Sequence, residues 1–199
     1  MAIAINGSGT LTGVSVGGLP NGIVDNDMIA NSTIAEAKLA ANVNTITMVD
    51  QWRVTSNLTV GTLSLTTISA NWERVDTAGQ GTLNGGMTQS SGVWTFPETG
   101  IYKVEFNMLA SNTADTTYMD VQLKFDNAGG SPSTLISRIL QSNSASSYCT
   151  GHLSTILDID NTSNCSLTFQ AQSAVATGVL TGNSLYNYSY ATFTRLGDT

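Results

Sequence analysis

Gly92-Val93-Trp94-Thr95-Phe96-Pro97-Glu98-Thr99-Gly100-Ile101-Tyr102-Lys103-Val104-Glu105-Phe106-Asn107-Met108 is the stretch whose reading decides the fold. Its second half alternates strictly. Tyr102, Val104, Phe106 and Met108 share one face and Lys103, Glu105 and Asn107 the other, the period-2 signature of a half-buried strand. Trp94 and Phe96 form a shorter alternating run before it. Between the runs, Pro97 cannot donate to a sheet ladder and Gly100 tolerates positive φ, so Pro97-Glu98-Thr99-Gly100 reads as a turn. The expected unit is strand, tight turn, strand, with large aromatic residues facing one core.

Phe96-Pro97, then Gly100, Tyr102, Val104 and Phe106 at every second position, resembles the central motif of the C1q/TNF-like jelly roll. In that family a short strand enters the turn and a long inner-sheet strand leaves it. An ordinary β-sandwich hairpin reads the same way, because Gly-x-Tyr-x-Val is common in sandwiches. The run Tyr186-Asn187-Tyr188-Ser189-Tyr190-Ala191-Thr192-Phe193-Thr194-Arg195-Leu196 favours the narrower resemblance, since it reads as a long aromatic strand close to the C-terminus, where the family places its last strand.

Outward from this stretch the chain has one texture from residue 46 onward. Val43 to Val54, Leu58-Thr59-Val60, Leu63 to Ile68 and Asn71 to Val75 read as opening strands, with loops at Gly79-Gln80-Gly81 and Asn84-Gly85-Gly86. Met119 to Phe125 alternates cleanly and breaks at Asp126 to Gly130. Strands at Leu135–Leu140, Ser147–Leu157 and Ser166–Gln172 follow. Strands at this spacing, without a long amphipathic helix, predict an all-β fold: a jelly-roll β-sandwich over residues 46–199.

Residues 1–45 differ. Ile3, Ile5, Leu11, Val14, Val16 and Leu19 are sparse apolar positions among glycines, too few to build a core. Ile23 to Ala30 and Thr33 to Ala40 form a faint repeat. In the second copy Thr33 and Glu36 can form a capping box, which predicts a short helix carrying Ile34 and Leu39. Such a helix is marginal alone and needs partners. The segment resembles the N-terminal attachment regions of fibre and appendage proteins of tailed-bacteriophage virions, which precede a β-rich trimeric head. The resemblance implies an extended attachment arm.

Composition sets further bounds. The 199 residues suit one sizeable domain plus an extension. Only 11% are charged while 41% are hydrophobic, so solubility rests on hydroxyl and amide side chains, a surface suited to packing against other subunits. With seven Lys and Arg in total and a net charge of −7, the chain offers no basic patch for nucleic acid. The N-terminus lacks the basic and apolar regions of a signal peptide, and no apolar run is long enough to span a bilayer. The expectation is synthesis in a host cytoplasm, with Cys149 and Cys165 as free thiols.

A search for chemistry finds little. His152 is the one histidine, with no Gly-x-Ser-x-Gly elbow elsewhere, so nucleophilic catalysis is not expected. Cys149, His152 and Cys165 lack a fourth zinc ligand. Asp158 and Asp160 sit side by side at a strand end, which suits neither calcium nor a glycosidase pair. No catalytic residue, metal or cofactor is predicted. What remains is an aromatic stripe, Tyr186, Tyr188 and Tyr190, and tyrosine serves both subunit interfaces and carbohydrate platforms. The C1q/TNF resemblance implies that this stripe and the Trp94, Phe96, Tyr102, Val104 and Phe106 unit belong to the inner sheet and pack near a threefold axis.

The sequence therefore predicts a non-enzymatic virion protein: a homotrimeric jelly roll held to other virion proteins by an N-terminal arm, as a short tail fibre or appendage that could touch a host-surface glycan. Two alternatives stay open, a capsid decoration protein and a secreted C1q-like carbohydrate-binding module.

Overall fold

The computed structural model describes residues 46–112, 116–142 and 147–199. The predicted arm, its repeat and its short helix lie outside these residues.

Fourteen strands and no helix make up the described residues. The opening segment yields β1 (Met48–Val54), the two-residue strands β2 (Leu58–Thr59), β3 (Gly61–Thr62) and β4 (Thr66–Thr67), and β5 (Trp72–Arg74). Leu63 to Ile68 is thus not one strand: Leu63 takes φ 50°, which turns the chain between β3 and β4. Next come β6 (Thr88–Ser90), β7 (Val93–Thr95) and β8 (Gly100–Ser111). The second half supplies β9 (Thr116–Asp126), β10 (Ser133–Ser142), β11 (Tyr148–Ile159), β12 (Ser166–Ser173), β13 (Val179–Leu180) and β14 (Tyr190–Gly197).

The strands form two sheets of seven. In the first, β8 is paired along both edges, with β11 on one side and with β14 and then β13 on the other; β14 leads on to β1 and β5, and β13 to β2. In the second, β12 lies between β9, which leads to β10, and a broken edge of β7, β4 and β3, with β6 outside β7. Every ladder is antiparallel except β3 with β12.

The central stretch is corrected in one respect. β7 and β8 do not form a hairpin: β7 belongs to the second sheet and β8 to the first, so Phe96 to Thr99 carries the chain from one layer to the other. The hairpin here is β6–β7, closed by Ser91 and Gly92 at φ 50° and 78°, the paired positive φ angles of a tight hairpin turn. A Cβ at Gly92 would also stand 2.5 Å from the Ile68 carbonyl oxygen. At the other end of the crossover Gly100 has φ 141°, and a Cβ there would press on Gly197 and Arg195.

The alternation within β8 holds throughout: Tyr102, Val104, Phe106, Met108 and Ala110 are buried and the residues between them half-buried. Between the sheets they meet an aromatic cluster. The Trp94 ring lies edge-on to Trp72 and Trp52, with centroids 5.0 and 5.3 Å away, and beside Phe193 at 4.9 Å; Phe106 meets Phe169 at 4.6 Å. Aromatic side chains bury the most apolar area per residue, so these rings dominate the core.

Candidate functional site

Trp94, Phe96, Tyr102, Val104 and Phe106 are all buried inside the sandwich. Within the single chain they are core, turned away from the outer surface of either sheet. Partner-facing residues must therefore be sought among their neighbours of opposite parity, at the sheet edges and in the loops.

The outer face of the first sheet is polar around the middle of β8. Lys103 Nζ lies 2.8 Å from Glu105 Oε1, and His152 Nδ1 lies 2.9 Å from Asn107 Oδ1. The register sets His152 opposite Asn107, and Tyr190 on the other side of the same Asn107. Gln51 Nε2 donates to Thr192 Oγ1 at 3.0 Å. Side-chain pairs of this kind hold one face in place without a catalytic arrangement. Cys149 and Cys165 are free thiols whose pKa burial pushes up, which makes them poor nucleophiles. Among the described residues no group of three or more His, Cys, Asp or Glu is placed to hold a metal ion.

The register gives the first sheet two ends. Met48, Gly100, Ile159 and Gly197 meet at one, where residue 46 enters the domain. There Arg195 donates to the Thr99 carbonyl and pairs with Asp198 and Glu98, and the Tyr102 hydroxyl donates to the Glu98 carbonyl at 2.9 Å. Burial, with Glu98 adding to it, pushes the Tyr102 pKa up to about 12. Val54, Ser111, Tyr148 and Tyr190 lie at the other end.

The tyrosine stripe is the second correction. The last strand begins at Tyr190, and Tyr186 and Tyr188 precede it in a loop at the far end. Asn183 explains why: its Oδ1 accepts from the Leu185 and Tyr186 N–H groups at 2.7 and 2.9 Å, and the Tyr188 N–H donates to the Tyr186 carbonyl, so the amides a ladder would use are taken locally. Only Tyr190 of the three lies on a strand of the sheet. Tyr186 and Tyr188 instead stack on each other in solvent, with centroids 6.0 Å apart and rings 24° from parallel.

The two sides of the sandwich end differently. Among the described residues β10 pairs only with β9, and β11 only with β8, so within them both present an unpaired edge, and the two strands pack beside each other. They carry Leu135, Ile139, Tyr148 and Ile156 exposed. Sequence reasoning placed both strands but not the edge they share, because an edge is a property of long-range pairing.

Two antiparallel layers with the last strand beside the Gly-x-Tyr-x-Val strand match known structures. The chain is similar to Eiger TNF from S. frugiperda at 14% identity and a TM-score of 0.55, covering 78% of this chain and 96% of that one. It is similar to murine APRIL at 17% identity and a TM-score of 0.51, covering 75% and 98%. The PRD1 vertex protein P5 shares the same arrangement at 15% identity and a TM-score of 0.50, covering 78% and 99%. The domain has a TNF-like jelly-roll fold. No protein-family model and no curated protein matches the sequence. In this jelly roll the long β8 and the terminal β14 are neighbours over seven register pairs, from Tyr190 opposite Asn107 to Gly197 opposite Ile101.

Proposed function

We propose that the protein is a non-enzymatic structural component of a tailed-bacteriophage virion, a homotrimer of jelly rolls held to the particle by residues 1–45 and displayed as a short tail fibre or appendage. The observation that carries the reading is the β10–β11 side, unpaired among the described residues. Two strands of 10 and 12 residues with free edges and exposed Leu135, Ile139, Tyr148 and Ile156 are an aggregation hazard on a free monomer. They are stable when a second copy covers them. A contact between this side and the polar face of the first sheet of a second copy is heterologous, and three such contacts form a ring where the rotation closes. The outer face of the first sheet, with Gln51, Lys103, Glu105 and Tyr190, is the receiving surface of this reading, and the family resemblance supports turning that face toward a threefold axis.

The virion half of the reading is supported by the resemblance of residues 1–45 to phage attachment segments and by the fold shared with the PRD1 vertex protein. Residue 46 enters at the end of the first sheet that holds Gly197. Sparse apolar residues and many glycines make the arm expensive to order except on a partner surface.

The test uses particles assembled with a chain lacking residues 1–45. The expected result is a soluble β-rich trimer of residues 46–199 that fails to incorporate, while the arm fused to an unrelated trimer incorporates in its place. Incorporation of the truncated chain at normal copy number would move the attachment surface onto the jelly roll and favour a capsid decoration role.

A further inference from the structure

We propose that the Tyr186–Tyr188 pair is a stacking shelf for a neutral oligosaccharide. It deepens the display reading above, on which its biological setting rests, but it stands on the geometry of the single domain. Tyr186 and Tyr188 are 60% and 42% exposed, yet they are not loose side chains on a loose loop. Besides the Asn183 bonds, the Asn183 N–H donates to the Val54 carbonyl, Asn187 Nδ2 donates to Gln51 Oε1 at 2.8 Å, and Thr77 Oγ1 donates to the Leu185 carbonyl at 3.3 Å. Two rings are thus held nearly parallel on a backbone that is already ordered, so a ligand meets a formed surface and loses little by fixing it.

The chemistry that fits is a flat C–H face laid on a ring face that the mutual stack leaves free, with hydroxyls around it. A sugar ring offers both, the axial C–H groups for the aromatic faces and hydroxyls for the polar rim. Asp76, next in the chain to the Thr77 that bonds Leu185, has a side chain 79% exposed and already bonded to Arg53 at 2.6 Å, so it is fixed with acceptor capacity to spare. The same pairs decide against an anionic sugar. Arg53 is buried and satisfied by Glu73, Asp76 and Thr77, and the net charge is −7, so a carboxylated or phosphorylated glycan would approach an acidic protein without Arg53 free to receive it.

The experiment titrates full-length protein, labelled for tyrosine ring NMR, with neutral hexose and N-acetylhexosamine trisaccharides and with sialyllactose as the anionic comparison. At least one neutral trisaccharide is expected to shift the Tyr186 and Tyr188 ring signals saturably, and sialyllactose to shift them less. Tyr188→Ala should weaken that binding about tenfold while Tyr188→Phe keeps most of it. Native mass spectrometry of both variants should show the oligomer of the parent. Absence of any saturable shift overturns the proposal, as does binding that survives Tyr188→Ala. A fall in oligomer mass for Tyr188→Ala also overturns it, because the pair would then belong to a subunit contact. Each result is independent of whether residues 1–45 direct incorporation.

Discussion

Among the described residues one side of the sandwich is finished and the other is not. On the β5–β6 side the edge strands have three residues each, and the surface behind them is sealed by charge. Arg74 donates to both oxygens of the fully buried Asp50 at 2.9 and 3.0 Å and to the Met87 carbonyl, and it lies over the Trp52 ring at 4.8 Å. Arg53 is held by Glu73, Asp76 and Thr77. On the β10–β11 side the edges are long, the charges few, and large apolar residues face solvent. A short edge covered by ion pairs gives a second chain nothing to add to, whereas a long bare one is a template. The contrast marks the side on which the proposed trimer would place its contact.

The largest effect is expected on the finished side. Trp94 is fully buried and touches Trp52, Trp72, Phe169 and Phe193, which join four strands to β7. Trp94→Ala should cost about 3–5 kcal/mol of stability in denaturant titration, since the cavity cannot collapse against rings from both sheets. A loss under about 1 kcal/mol would mean that the cluster does not hold this side together.

A smaller loss should follow from the seal. Asp50→Asn keeps the shape but leaves Arg74 without its carboxylate, and about 2 kcal/mol should go, a figure held below that of a fully buried pair because Arg74 is itself 40% exposed. Oligomer mass should not change. If it did, the two sides would not be independent, and the comparison would have to be redrawn.

Much of this contrast was legible in the sequence and some of it could not be. β8 was, because Tyr, Val, Phe and Met alternate with Lys, Glu and Asn, and burying the polar set is so costly that only one orientation is allowed. The same period misleads at Tyr186-Asn187-Tyr188-Ser189-Tyr190. Tyrosine tolerates either side of a surface, and the deciding residue, Asn183, lies before the alternation begins. β6 was missed because Thr88-Gln89-Ser90 has no apolar residue to mark it, although Ser91-Gly92 is a turn signal. The β7–β8 crossover has the local chemistry of a hairpin. That the two strands enter different sheets follows from β7 pairing with β12, more than 70 positions further on, which no local pattern encodes.

The smallest effect on the single chain is expected where the largest effect on assembly lies. Ile139 and Ile156 are 69% and 64% exposed, on the outward faces of β10 and β11, opposite Asp120 and Lys103. Replacing either by Lys removes no core contact, so Ile139→Lys and Ile156→Lys should each alter the stability of residues 46–199 by less than about 0.5 kcal/mol. Lysine on an edge strand is also a device by which β proteins keep edges from pairing, and in a trimer the same charge would be buried three times without a partner, at several kcal/mol each. Native mass spectrometry should then show monomer for both variants, while Val93→Lys, an exposed position on β7 at the finished side, leaves the parent mass unchanged. Should Ile139→Lys and Ile156→Lys keep a trimeric mass and Val93→Lys lose it, the covered side would be the β5–β6 side. The free edges of β10 and β11 would then face solvent in the assembled protein.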